Sequence, residues 1–576
     1  MSLGALLYIG GCRAKQVACI SLVLTLTWMG SALAASHPPG VVYPLHGAEI
    51  QPSGLAQPLP STRRYVLVWK DQLIPDGLTE AQKLWVVTHF VGTQKLFQRQ
   101  IDDYRTRNPN FLMLVYHLAY GLNGADQPNP VGNITGPNTF GQEDTDTFTP
   151  WMTSHGIQRE LAYQHSTSPG MPANRVSYPD PFWLMDIGST QWRSYLFETL
   201  LTWQGWASSK ATGAFLDVAF PPWFGYQPNQ WWTEPAGGSS RDALSSWWRP
   251  RATSYFNAMR AAFAPDGTHP RYLVIPNPDA LVDSNDEPDW LQATDGVFTE
   301  NWQAAAANPG DWNLSCRRIL QYVTSQGKVW MADVSAEASD LAQPTRELLI
   351  GSYLLLRNGT SYIMFGNALA WYPEYEIDLG AYLAEPPSDL EALRVAGSGG
   401  SVGGLYERLY ARGVVLVNSS NSNLNYALTA PMKKAQWSGG GQVDSNGNPP
   451  NFSLGYSTDV LPGTLTVPAL SVVVLRDPAG APPPGDEGNS SDGGTTSDGG
   501  TVPDGGTNGD GGPGGGGADG GGSAADGGSN GRNSTRIEFF GCSSPASEGA
   551  GDSSLWLLML LALYVVWLNR RASSRR

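Results

Sequence analysis

Short apolar runs recur between residues 62 and 397, and each gives way at once to a polar or ionisable residue. Residues 65–69 (Tyr-Val-Leu-Val-Trp) run into Lys70, 111–116 into His117, and 182–185 into Asp186. The run 213–220 (Gly-Ala-Phe-Leu-Asp-Val-Ala-Phe) carries Asp217 within it. Residues 271–276 precede Asn277, 296–299 precede Glu300, 328–332 precede Asp333, and 361–365 end near Asn367. These runs are too short for typical helices, and their aromatic and β-branched content suits strands buried on both faces. Between them, residues 79–105, 190–203, 241–263, 314–325 and 345–356 space their apolar positions as helices do. The first of these is broken near Gly92, and a long Gly/Pro-rich insertion occupies 121–179. Strands alternating with helices predict βαβ units and a parallel sheet. Eight such units across 62–397 predict an α/β fold of the (β/α)8 type. The stretch 277–295 leaves room only for a short helix.

From residue 398 the helical period disappears. Residues 413–418 and 465–476 are β-rich with turns between them, which predicts a small antiparallel β-sandwich over 398–477. Residues 478–536 are of low complexity, with Asp486, Asp492, Asp498, Asp504 and Asp510 recurring every six residues, mostly as Asp-Gly-Gly. Apolar residues that would let such repeats stack around calcium are missing, so this segment reads as a self-repelling tether.

The chain begins like an export signal over 1–34: Arg13 and Lys15 precede the apolar run 17–29, and Ala32-Leu33-Ala34 fits a cleavage site. A Pro-rich lead-in fills 35–61. The last segment, 537–576, holds Gly541-Cys542, the apolar run 555–568 and Arg570, Arg571, Arg575 and Arg576. Fourteen apolar residues fall short of the roughly 20 of a comfortable span. A basic flank can nevertheless hold such a run as a stop signal. The expectation is an exported protein anchored at the cell surface by its C-terminus.

Net charge is −15, of which the seven Asp and one Glu of residues 481–530 supply −8. The remainder is only mildly acidic, which argues against nucleic acid as a partner. Cys12 and Cys19 would leave with the signal, and Cys316 and Cys542 lie in very different segments, so no disulfide framework is expected. The fold must rest on its apolar content, including 21 Trp.

A parallel barrel points every strand C-terminus to one face, and active sites form there. Lys70, His117, Asp186, Asp217, Asn277, Glu300 and Asp333 should therefore converge into an acidic pocket. Two facing carboxyls are what glycosidic cleavage requires, one ionised and one able to donate a proton. Asp217 suits nucleophile or base, and Glu300, with Trp302 close by, suits the acid. Asp333 is the rival for either role. Asp186 could instead cap the following helix, and His117 could be a hydrogen-bonded wall. Trp69, Trp151, Trp223, Trp231, Trp232 and Trp302 stand near strand ends, where flat aromatic faces suit sugar rings. Trp192, Trp203, Trp247 and Trp248 lie in helical stretches and read as packing. Seven His with no His-x-His or His-Glu-x-x-His pattern give no sign of a metal, and no cofactor is expected. The other open reading is a surface protein that binds glycans without cutting them.

Four segments carry a family likeness: Trp183-Leu-Met-Asp-Ile-Gly-Ser-Thr-Gln-Trp-Arg193, Thr212-Gly-Ala-Phe-Leu-Asp217, Thr294-Asp-Gly-Val-Phe-Thr-Glu300 and Tyr406-Glu-Arg-Leu-Tyr-Ala-Arg-Gly-Val-Val-Leu-Val-Asn418. On these the sequence resembles the bacterial proteins called hypothetical glycosyl hydrolase family 15, across most of residues 60–476. The resemblance implies a (β/α)8 glycosidase with a β-rich C-terminal cap. A carboxylate on strand four with another on strand six is also similar to retaining α-galactosidase-type barrels, an analogy of fold. The last 35 or so residues resemble the MYXO-CTERM sorting tags of myxobacterial surface proteins, which would make Cys542 the processing and lipid-attachment site.

Overall fold

The computed structural model describes residues 53–57, 59–96, 98–123, 153–156, 158–162, 164–165, 176, 182–202, 211–219, 241–284, 286–336, 341, 343–366, 368–457 and 463–478. The signal-like segment, most of the insertion, the tether, and the C-terminal segment with Cys542 lie outside the described residues. So do Asn367, Trp151, Trp203, Trp223, Trp231 and Trp232. Among the described residues no helix is long and apolar enough to cross a membrane.

Eight parallel staves form a ring. The first is the short segment around Val68 and Trp69, held by bridges to Ile363 on one side and Gly92 on the other. Next come β1 (Gly92–Gln94) and β2 (Leu112–Leu118). The chain then leaves the ring for β3 (Gly121–Asn123) and β4 (Phe182–Leu184). It returns with β5 (Gly213–Asp217), β6 (Leu273–Pro276), β7 (Gly296–Thr299), β8 (Val329–Val334) and β9 (Ser361–Phe365). Parallel pairing links β1-β2-β5-β6 and β7-β8-β9. The two arcs meet where the Asp295 amide donates to the Val274 carbonyl at 3.1 Å. On the far side the Ile363 amide donates to Leu67 at 3.0 Å and the Val91 amide to Val68 at 2.8 Å, which closes the barrel.

Alternation along each stave divides the core in two. Trp69, Leu112, Leu114, Phe215, Ile275, Phe298, Met331, Tyr362 and Met364 fill the interior. Residues of opposite parity, such as Met113, Val115, Leu216, Val297 and Trp330, join the layer beneath the helices. Those helices are α1 (Glu80–His89), α2 (Gln98–Arg107), α3 (Thr190–Thr202), α4 (Arg241–Ala262), α5 (Pro309–Tyr322) and α6 (Gln343–Leu356). Among the described residues between β6 and β7, the one helical segment is a 3₁₀ turn, Asp289–Ala293.

Two sequence expectations need correction. Residues 182–185 are not a stave, because Phe182–Leu184 pairs antiparallel with Gly121–Asn123 outside the ring. The interrupted helix of residues 79–105 is two helices with a stave between them. That stave, Gly92-Thr-Gln, is too short and too polar to show a period. Its glycine is required, since a Cβ there would stand 2.5 Å from the Trp69 ring and 2.2 Å from the Leu112 carbonyl oxygen. One stave missed and one misassigned cancel, so Asp217 still ends the fourth stave and Glu300 still follows the sixth.

The C-terminal part is antiparallel, starting with β10 (Ala370–Trp371), β11 (Arg394–Ala396), β12 (Leu405–Tyr410), β13 (Gly413–Asn418) and β14 (Leu424–Ala427). It continues with β15 (Lys433–Gly439), β16 (Gly441–Gln442), β17 (Phe452–Tyr456), β18 (Thr464–Val467) and β19 (Ser471–Arg476). Its main sheet runs β11-β12-β13-β19-β15-β17, and β14 pairs with β18. Leu405, Val414, Leu416, Val467, Val473 and Leu475 form a second core between these layers. The opposite face of the main sheet docks on α6. A Cβ on Gly351 would lie 2.4 Å from Val472, and the Tyr410 hydroxyl donates to the Leu354 carbonyl at 2.7 Å.

Candidate active site

Among the described residues, five that follow stave ends adopt positive φ without being glycine: Gln72, Lys95, Val218, Asp279 and Asn301. Such backbone costs about 1–3 kcal/mol at each position and persists only where the surroundings enforce it. Val218, β-branched at φ 53°, is the least expected of the five. Its turn folds the chain back so that the Val218 amide donates to Asp217 Oδ1 at 2.9 Å. The strain therefore sits beside the carboxylates of the barrel mouth.

Asp217 is 7% exposed. Besides the Val218 amide, Oδ1 accepts from Asn277 Nδ2 at 2.8 Å, and Oδ2 accepts from the Tyr116 hydroxyl at 3.0 Å. The same Asn277 nitrogen donates to Glu300 Oε2 at 2.6 Å. The Asp279 amide donates to Asn277 Oδ1 at 3.0 Å, which turns the NH2 end of the side chain toward the carboxylates. The Asp217 and Glu300 oxygens so bridged are at most 5.4 Å apart, the sum of the 2.8 and 2.6 Å bonds. Asn277 itself is buried, while Glu300 is half-buried, so the pair opens outward on its Glu300 side.

Asp333, the last residue but one of β8, is fully buried. Its Oδ2 accepts from the Ser335 hydroxyl at 2.9 Å, and its Oδ1 has no hydrogen-bond partner. Burial holds its proton well above the ordinary carboxylate range, and the negative charges of Glu300 and Asp71 add to this. The Lys95 ammonium opposes the shift and lies 3.3 Å from Asp71 Oδ2. Lys70, also fully buried, donates to the carbonyls of Phe365 and Gly366 at 2.7 and 2.6 Å and so ties the first stave to the eighth. The Asp279 carboxyl, beside Asn301, is pushed up to about 6, chiefly by burial.

The remaining candidates lie elsewhere. His117 has the parity of Val115, so its ring faces the helix layer, 6.4 Å from Trp192. Nδ1 bonds the Leu118 carbonyl at 2.8 Å, and Nε2 is buried without a partner. Asp186 turns into the start of α3, where Oδ1 accepts from the Gly188 amide at 2.8 Å and from Arg251 at 3.3 Å. Trp69 fills the barrel interior beside Tyr362. Trp302 lies under the helices, with Nε1 on the Ser315 hydroxyl at 3.2 Å and its ring edge-on to Trp330. Both indoles are 0% exposed, so neither offers a face for a sugar to stack on. Tyr116, Lys95 and Asp71 were not among the predicted site residues. Parity with Leu112 and Leu114 marks Tyr116 as inward-facing. Lys95 follows a stave whose sequence carries no such pattern.

Two expected outcomes separate these placements from the sequence reading. Trp302→Ala should cost about 3–5 kcal/mol of stability in a denaturant titration, as for other buried indoles. A sugar platform would instead leave stability unchanged. For His117, burial lowers the imidazole from 6.5 to about 4. Between these values the unfolded chain binds the proton and the folded one does not, so stability falls as pH drops through that window. The loss approaches about 3 kcal/mol. The stability–pH curve of His117→Gln should be flatter than the wild type's over that range, and parallel curves would count against this placement.

An eight-stave parallel barrel with paired carboxyls at its C-terminal mouth belongs to the (β/α)8 class, and the chain is of glycoside hydrolase type. Residues 105–414, more than half of the chain, match the family described as hypothetical glycosyl hydrolase family 15, and the chain belongs to that family. A search of curated proteins gives no match. Among solved structures, an Anoxybacillus α-amylase is similar at 9% identity, covering 69% of this chain and 89% of that one with a TM-score of 0.33. The α-amylase of Geobacillus thermoleovorans, complexed with acarbose, is similar at 8% identity, covering 71% and 96% with a TM-score of 0.34.

Proposed function

We propose that this protein hydrolyses glycosidic bonds of an extracellular oligo- or polysaccharide through Asp217 and Glu300. The observation that carries the reading is the single Asn277 amide shared between the two carboxyls. The bridged oxygens, at most 5.4 Å apart, suit the close pair of retaining enzymes, whose carboxyls stand about 5–5.5 Å apart, better than the 6.5–9.5 Å at which an inverting water fits. Asp217, short and accepting three hydrogen bonds, attacks the anomeric carbon. Glu300, longer and more exposed, protonates the leaving oxygen and then takes a proton from the incoming water. Asn277 orients both groups, and Tyr116 holds the second oxygen of Asp217.

The signal-like segment 1–34 and the C-terminal segment with Cys542 support export and anchoring at the cell surface. The site chemistry does not depend on either. Purified full-length protein incubated with a panel of α- and β-linked glucans, galactans, xylans and amino-sugar polymers should release reducing ends from at least one. No release from any of them, with binding retained, would favour the reading of a non-catalytic glycan-binding protein.

A further inference from the structure

Polar side chains at the C-terminal ends of the staves fall into two groups. On the arc of the fourth to sixth staves, Asp217 and Glu300 share the Asn277 amide. On the arc of the seventh, first and second staves, Asp333, Asp71 and Gln94 leave polar atoms unpaired. Gln94 ends its stave in register with Leu114, which fills the barrel interior, so alternation turns the amide inward. Asp333 stands two residues after the interior Met331 on the same stave. All three residues are 0% exposed. Asp71 Oδ1, Asp333 Oδ1 and both ends of the Gln94 amide, Oε1 and Nε2, have no hydrogen-bond partner.

Contacts tie both ends of this arc to the paired carboxyls. Asp71 Oδ2 lies 3.3 Å from Lys95 Nζ, on the residue after Gln94. That ammonium stands 5.1 Å from the centre of the Phe215 ring and 5.3 Å from that of Tyr116, whose hydroxyl donates to Asp217 Oδ2 at 3.0 Å. At the other end, the Ser335 hydroxyl donates to Asp333 Oδ2 at 2.9 Å. It accepts at 3.3 Å from the amide of Asn301, the residue after Glu300.

A buried amide with neither end paired costs more than an apolar side chain of the same shape. Four unpaired atoms on one arc of the mouth call for a shared partner. A sugar whose anomeric carbon meets Asp217 would extend across the mouth toward them. Hydroxyls both donate and accept. Two on adjacent carbons satisfy Gln94, one donating to Oε1 and its neighbour accepting from Nε2, and a further hydroxyl donates to Asp71 Oδ1. Charge narrows the class. A uronate would add a negative charge beside Asp71, Asp217 and Glu300, and an amino sugar would bring an ammonium to Lys95.

We propose that Asp71 and Gln94 form a hydroxyl-recognition subsite beside Asp217, which takes a neutral sugar unit with free hydroxyls on adjacent carbons. That the bound unit is the one cleaved rests on the Asp217–Glu300 reading, whereas the binding itself does not.

The test uses the full-length protein with D-glucose, D-galactose, D-mannose, D-xylose, D-glucuronate and D-glucosamine as probes. The rise of the unfolding midpoint with sugar concentration reads each dissociation constant. At least one neutral sugar should bind, and the two charged ones should not. Gln94→Met should weaken that sugar about tenfold or more, as for loss of a buried polar pairing. Two of its monodeoxy analogues, at adjacent carbons, should bind wild type more weakly than the parent sugar yet match it on Gln94→Met. Without sugar, the midpoint of Gln94→Met should equal or exceed the wild type's, since no amide is left unpaired. A lower midpoint would mean that the amide is paired within the protein, and overturns the proposal. Binding by no neutral sugar, binding by a charged one as tight as by the neutral, or equal affinity in wild type and Gln94→Met overturns it too. If Gln94→Met does not fold, Asp71→Asn decides. Its amide turns its oxygen to Lys95 and leaves an NH2 where Oδ1 stood, so undiminished affinity overturns the proposal. Sugar binding with these losses in a protein that cleaves no glycan would sink the enzymatic reading and leave the subsite standing. Glycan cleavage without such binding does the reverse.

Discussion

Asp217→Asn should lose at least about 10⁴-fold in kcat, while its unfolding midpoint stays close to the wild type's. The amide cannot attack an anomeric carbon, and no other described group stands where Asp217 does, at the end of β5 within reach of both Tyr116 and Asn277. Glu300→Gln should fall by a smaller factor, about 10²–10⁴, as expected for loss of a proton donor. The two losses should differ in kind. A substrate with a good leaving group needs no protonation, so Glu300→Gln should cleave an aryl glycoside far better than a natural glycan. Added azide should rescue it, since azide needs no base. Neither remedy should help Asp217→Asn. Unimpaired hydrolysis in either variant, measured on the glycan found in the panel, would remove the assignment.

Asn277→Ala should be the next most damaging change, lowering kcat by about 10²-fold with little change in KM, comparable to deleting one preorganised donor. Three effects coincide. Asp217 and Glu300 lose the donor between them, their mutual repulsion goes unrelieved, and the Asp279 amide loses its acceptor. Asn277→Asp should be at least as poor, since it adds a further carboxyl. A proportional loss of stability and activity would mean that Asn277 only supports the loop.

The barrel was legible wherever a stave was long enough to alternate. Residues 213–217 and 296–299 are apolar on both faces, and their polar ends, Asp217 and Glu300, fall at the mouth as the runs predict. Gly92–Gln94 shows no such pattern, because a three-residue stave spends one position on a glycine forced by Trp69 and two on polar side chains. Phe182–Leu184 misled for the opposite reason: it is apolar and well bounded, yet its partner is the local strand Gly121–Asn123. Asp217, Glu300 and Asn277 were visible as residues that follow or end a run. His117 fails by one position, since parity places Tyr116 inward and His117 under α3. Burial separates Trp69 and Trp302 from sugar platforms, and local sequence does not report burial of an indole at a strand end. Lys95 was hidden because the stave before it is too short to show a period, and its contacts, Asp71, Tyr116 and Phe215, lie 21 to 120 positions away in the chain.

The claim beneath all of this is that Asp217 and Glu300 work as a close pair across one bond. Proton NMR of the first product released, recorded before mutarotation, tests it most directly. Retention of the anomeric configuration at the new reducing end is the predicted result, and inversion would contradict the account.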